Sequence, residues 1–171
     1  IVADLKFDIK IGGLLRGLRA KEDTEDGQQI LALMESATQV AKPKGIYKEA
    51  FIESKGDGHV VVDGIRFDSR ILRVNLSPVH RVFPYIVTSG EELDVWSLAV
   101  EGMLEQYWAD EIKEAILHAA FRDFTSRMVD AYGLGTTSVM NPGSLEDWPI
   151  SEQTKLFQLL GDPEAAIGVK L

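Results

Sequence analysis

Cysteine is absent from the 171 residues, which excludes disulfides, thiolate metal sites and a cysteine nucleophile, and agrees with a reducing compartment. Long apolar runs are absent too, since none approaches the ~18 residues needed to cross a bilayer. The opening Ile1-Val2-Ala3-Asp4 has neither the basic nor the apolar region of a signal peptide. The chain is therefore expected in the cytoplasm, with no membrane partner. Positive charge is scarce: 18 Lys and Arg stand against 27 Asp and Glu, a net charge of -9. No stripe of Lys and Arg interleaved with aromatics relieves it. Such a chain repels a phosphate backbone, so nucleic acid is not an expected ligand. The acidity reads as a solvated surface, with complementarity to a basic partner as the alternative. Internal repeats, proline-rich linkers and low-complexity tracts are also missing, and a single domain over residues 1–171 is expected.

What is present suits a folded domain. Apolar residues make up 45% and charged residues 26%, ordinary values for globular chains. A chain of ~150 residues removes roughly 70% of its unfolded surface from water, enough for one core. Asp26 is a candidate N-cap for an amphipathic helix carrying Ile30, Leu31, Leu33, Met34 and Ala37 and ending before Pro43. Short β-favouring runs follow at Ile46–Ile52, His59–Val62, Ile71–Leu76 and Val82–Thr88, separated by Gly-Asp-Gly, Asp-Gly and Ser-Pro turn signals. They predict an antiparallel sheet. Trp108, Ile112, Ile116, Ala120, Phe124, Met128 and Tyr132 recur every four residues, joined by Ala115 and Ala119, and predict a long helix with its core face on that sheet. Gly133 and Gly135 end it. Ile167–Leu171 reads as a final strand. The fold class is α+β.

Most chemical motifs fail on spacing. Gly133-x-Gly135-x-x-Ser138 lacks the third glycine of a dinucleotide loop and follows a helix where that motif needs a strand. His59, His80 and His118 have no zinc-ligand spacing, so no metal is expected. No Gly-x-Ser-x-Gly elbow and no phosphate-binding Gly-x-x-x-x-Gly-Lys loop occurs. Glu91, Glu92 and Asp94 after Ser89-Gly90 could serve acid–base chemistry, or open a helix with favourable dipole interactions.

Two loops stand out. At Ser89, Gly90 and Glu91 a strand meets a glycine turn and then a helix, a geometry whose backbone N–H groups can receive an anion. Asn141-Pro142-Gly143 sets a tight turn, with proline fixing φ and glycine permitting a positive one. The chain then reaches Ser144, Leu145 and Trp148-Pro149, and Ser151 is a candidate cap for a helix through Leu156, Phe157, Leu159 and Leu160. Trp148 either offers an aromatic platform to a ligand or, with Leu145, plugs the core beneath an ordered loop.

The string NPGSLEDWPISEQ, followed by LFQLLG and IGVKL and preceded by VFPYIVTSGEELD and YWADEIKEAILHAAF, resembles the activation (reactivation) domain of cobalamin-dependent methionine synthase, particularly its free-standing relatives in anaerobic bacteria. The match runs from about Ile46 to Leu171 and is most specific over Asn141–Gln153. The resemblance implies a C-shaped α+β unit on a twisted antiparallel sheet packed with long helices. Family members continue with further strand sequence where this chain stops, so a C-terminal truncation is expected. It also implies an accessory domain of a methyltransferase system that docks over cobalamin carried by a corrinoid protein. There S-adenosylmethionine and one electron from a reductase restore methylcobalamin from the inactive Co(II) state. Asn141, Pro142, Gly143, Ser144 and Trp148 would belong to the presented face. The family anchors S-adenosylmethionine with an Arg-x-x-x-Gly-Tyr motif. With its glycine on Gly143, Val139 stands where the arginine belongs and Ser144 where the tyrosine belongs, so both anchors are absent. An arginine–carboxylate pair contributes ~1.5–3 kcal/mol. Three readings follow: a corrinoid-docking accessory protein, an enzyme or enzyme subunit using S-adenosylmethionine through other contacts, and a binding or scaffolding module that keeps only the fold.

Overall fold

The computed structural model describes residues 2–171 and has the mixed α+β architecture expected, 49% helix and 16% strand, so helices supply most of the packing surface. In chain order the elements are β1 (Val2–Asp4), α1 (Ile11–Gly17), α2 (Glu25–Val40), β2 (Lys44–Tyr47), β3 (Ala50–Lys55), β4 (His59–Val62) and β5 (Ile65–Asp68). They continue with α3 (Arg70–Asn75), β6 (Arg81–Val82), β7 (Tyr85–Thr88), α4 (Glu91–Leu98), α5 (Met103–Tyr132), α6 (Gln153–Leu160) and α7 (Pro163–Ile167). The chain divides into two compact units, one of Ile46–Ile86 with Gly135–Leu171, the other of Val2–Gly45 with Val87–Leu134. Among the described residues no helix is long and apolar enough to cross a membrane.

The first unit is built on the antiparallel sheet β5-β4-β3-β6. Asp63 and Gly64 close the β4–β5 hairpin in two residues, both at positive φ (43° and 79°), the twist-matched turn that Asp-Gly favours. The Asp63 carboxylate also accepts from the Phe51 amide and pairs with Lys48 at 2.7 Å; this hydrogen bond to Lys48 is the main reason its pKa lies below the ordinary value. Val60, Val62 and Phe67 point from this sheet into a core shared with Leu72, Leu76, Trp148 and Leu159.

The second unit is mainly helical, though it also holds β1 and the ends of β2 and β7. Ile112 and Ile116 of α5 are fully buried against Met34 and Ala37 of α2 and Leu93 of α4, and Trp108 joins Leu15 and Ile30. The apolar stripe expected on α5 is therefore real, but helices cover its middle where a sheet was expected. Only further along does it meet a strand: a Cβ at Gly45 of β2 would lie 2.8 Å from the Phe124 ring. Gly133 ends α5 in the left-handed conformation, as anticipated.

Several local expectations give way to specific contacts. Ile71–Leu76, predicted as a strand, lies in α3 and its C-cap Leu76: Ser69 caps the start, accepting from the Leu72 amide at 2.9 Å, and Leu72 and Leu76 bury one face four residues apart. Ile46–Ile52 divides into β2 and β3, and Val82–Thr88 divides around Pro84, which has no N–H for a ladder and whose carbonyl instead accepts from Lys48. Ile167–Leu171 is not a strand. Asp162 caps the Ala165 amide, Pro163 occupies the first turn, and left-handed Gly168 stops α7, a start and stop pattern that outweighs the apolar run. Ser151 does not cap α6; a 3-10 turn, Ile150–Glu152, leads into it.

The cap of α2 is Thr24, not Asp26: the Thr24 hydroxyl accepts from the Gly27 amide at 3.2 Å. Thr24→Ala should therefore lower the unfolding free energy by about 1 kcal/mol in urea titrations. Asp26→Ala, which removes only a first-turn charge, should lower it by about 0.3 kcal/mol.

Candidate functional site

Past the end of α5 the chain reaches a loop tied by its own backbone. The Ser144 amide donates to the Asn141 carbonyl at 3.0 Å, closing a turn with Pro142 and Gly143 at its centre. Gly143 has φ 86°, the value a type II turn requires at that position. The Ser144 hydroxyl doubles the closure, donating to the Asn141 carbonyl and accepting from the Asn141 amide. Gly143 then donates to the Trp148 carbonyl, and Leu145 and Trp148 form an isolated bridge.

Two side chains pin this turn to the core and to α3 of the first unit. Trp148 is 4% exposed and meets Phe67 edge-on, ring centroids 6.2 Å apart. Of its two readings, the structure supports the core plug, with Leu145 packed on the same cluster. Its indole N–H is buried without a hydrogen-bond partner among the described residues. Asp147 is the second pin. Its carboxylate accepts from the Ser69 hydroxyl and from the amides of Arg70 (2.6 Å) and Ile71 (3.2 Å). One side chain thus satisfies orphan donors at the start of α3. The hydrogen bond from Ser69, aided by those two amides, holds the Asp147 carboxyl below its ordinary value of 3.8.

The exposed part of the loop is Asn141, Gly143 and Ser144, while Pro142 is buried. Ile150, 60% exposed, lies over Gly143, where a Cβ would sit 3.3 Å from its Cδ1. The Asn141 side-chain amide is free among the described residues, whereas the Ser144 hydroxyl is engaged within the turn. Val139 is 48% exposed and apolar. These residues do not fit S-adenosylmethionine held in the manner of the Arg-x-x-x-Gly-Tyr motif: position 139 offers no cation and position 144 no aromatic hydroxyl.

Ser89, Gly90 and Glu91 lie in the second unit. Gly90 is buried at φ 100°, and a Cβ there would lie 2.7 Å from the Lys42 carbonyl. Its amide donates to the Thr88 hydroxyl. The helix start that follows already has its anion. The Glu92 carboxylate accepts from its own backbone N–H and then pairs with Lys42 at 3.0 Å, and both contacts lower its pKa. Asp94 is bridged to Lys113. Glu91, Glu92 and Asp94 therefore open a helix, with Glu91 exposed to solvent.

Reasoning from the sequence passed over Asp147 and Ser69. The Asp68-Ser69 pair ahead of an apolar run is a helix-start signal, but its second ligand lies 78 positions away. It also passed over a cavity of about 500 Å³ in the second unit, lined by Lys10, Gly13, Gly17, Glu111, His118 and Arg122 among others. Among the described residues no group of three or more His, Asp or Glu is placed to hold a metal ion. No protein-family model matches the chain, and no curated protein matches it.

Trp148→Ala should cost about 3–5 kcal/mol of stability, as large-to-small changes at buried aromatic sites do. Ser144→Ala, an exposed change, should stay within about 1 kcal/mol; paired chemical denaturation curves check both. Because the folded pKa of Asp147 is depressed, its contribution to stability is full above the ordinary value of 3.8 and is lost as the pH falls below it through the lower folded pKa. Hydrogen-exchange protection of the Arg70 and Ile71 amides should hold down to that pH and then decline. In Asp147→Asn it should be weakened at every pH.

Proposed function

We propose that this chain is an accessory domain of a cobalamin-dependent methyltransferase system, similar to the activation domain of methionine synthase, that docks over the corrinoid of a partner protein. The observation that carries the reading is the rigid Asn141–Trp148 turn. It is fixed from beneath by Trp148 and Asp147 and leaves the polar edge of Asn141, Gly143 and Ser144 open. A preformed turn of this kind meets a flat, rigid group with little loss of conformational entropy. The finer fold, a C-shaped activation-domain unit, belongs to the same proposal and is supported by the antiparallel sheet and the 30-residue α5. In this reading Trp148 positions the loop and does not touch the corrinoid.

The exposed Val139 favours a second reading, a binding or scaffolding module that keeps the fold and serves a different ligand or partner. A titration of cob(II)alamin, free and on a corrinoid protein, with and without S-adenosylmethionine, separates the two. The corrinoid reading expects a saturable shift of the cobalt absorption spectrum that weakens in Asn141→Ala. No shift under any of these conditions sinks it and leaves the scaffolding module. If the loop has kept the family's geometry, Val139→Arg should tighten S-adenosylmethionine binding by roughly ten- to a hundredfold, the equivalent of one charge-assisted pair. Calorimetry on both forms measures this.

A further inference from the structure

The second unit carries an apolar surface that no part of the loop reading uses. Val95 and Leu98 near the end of α4 are 62% and 76% exposed, and Met103 at the start of α5 is 93% exposed. Leu104 beside it and Tyr107, one turn further along α5, are about half exposed. Single exposed hydrophobics are ordinary, but five within thirteen consecutive positions on two packed helix ends form a patch, and patches mark interaction sites. The scaffold beneath is fixed. Gln106 Nε2 donates to the carbonyls of Val100 (2.9 Å) and Ser97 (3.4 Å), tying the turn between the helices. Lys113 reaches the Ser97 hydroxyl, and the Trp96 indole donates to Ser36 of α2 at 3.1 Å. The patch is therefore presented ready-made.

Its rim is net acidic, with Lys42 and Lys113 the cations that reach it. From Glu91 to Glu111 every charged side chain is acidic. Glu92 and Asp94 are paired with Lys42 and Lys113, while Glu91, Glu101, Glu105 and Asp110 have no cationic partner among the described residues. This charge decides what can cover the apolar centre. A second copy docking the same face would oppose like charges across a closed interface, and an anionic lipid surface would be repelled. A protein face with apolar side chains inside a rim of Lys and Arg matches both features.

We propose that the α4–α5 corner, centred on Leu98 and Met103, is a docking surface for a partner protein presenting a basic amphipathic helix. It lies in the other unit from the Asn141–Trp148 turn and does not depend on what that turn binds.

The probe is a synthetic helical peptide with leucine on one face and lysine on the other, labelled for fluorescence anisotropy and titrated with the intact chain at several salt concentrations. Saturable binding is expected, weakening as salt rises. It should fall by at least roughly tenfold in Leu98→Ser/Met103→Ser, the scale of losing central anchors, and fall with a shallower salt dependence in Glu101→Gln/Asp110→Asn. Val74→Ser/Val129→Ser, which alters exposed valines elsewhere, should bind as the parent does. Thermal melts of all variants confirm folding, since each altered side chain is exposed. The proposal is overturned by an absence of binding, by equal binding of a leucine–glutamate peptide, or by binding unchanged in Leu98→Ser/Met103→Ser. A dimer in sedimentation that dissolves on that double substitution also overturns it, assigning the face to a second copy.

Discussion

The first unit depends on how the start of α3 is satisfied. A six-residue helix has little intrinsic stability, and Ile71 and Val74 within it favour extended backbone. What makes it a helix is a carboxylate from far along the chain. Asp147 accepts from Ser69, Arg70 and Ile71 together, while Ser69 caps the Leu72 amide. Leu72 and Leu76 are then delivered to the core beside Trp148 and Phe67. The dependence is mutual: without α3 the Asp147 carboxylate has no donors, and without Asp147 and Trp148 the turn at Asn141–Ser144 has nothing beneath it.

In the second unit the organising contact is helix on helix. The buried faces of α2 and α4 close over Ile112 and Ile116, and short polar ties, Trp96 to Ser36 and Lys113 to Asp94, fix the angle of α4. This rigid base holds the apolar α4–α5 corner in solvent without letting it fold inward. The candidate loop and the candidate docking surface share one design, in which an exposed element is held by side chains buried behind it.

Charge divides the two regions. The loop offers the neutral side-chain amide of Asn141, the Ser144 hydroxyl being engaged within the turn and the nearby Asp147 carboxylate consumed by α3. The α4–α5 corner keeps most of its carboxylates free around apolar side chains. Compositional acidity, which by itself reads as a solvated surface, therefore acquires a location and a complement.

Much of this was legible in the residues. The four-residue recurrence on α5, the Asp63-Gly64 hairpin, the stop at Gly133 and the Asn141-Pro142-Gly143 turn are all set by interactions within a few positions, by side-chain period and by the φ values that proline and glycine allow. The Ser89-Gly90-Glu91 helix start was visible too, though not that Glu92 and Lys42 fill it. Tertiary structure decided the rest. It made Ile71–Leu76 a helix through a capping carboxylate from another part of the chain, and it put Trp148 in the core, away from solvent. It also covered the middle of α5 with helices. Local propensity differences are worth about 1 kcal/mol or less per residue, so a shared cap or a buried aromatic reverses them, and neither can be read until distant residues meet.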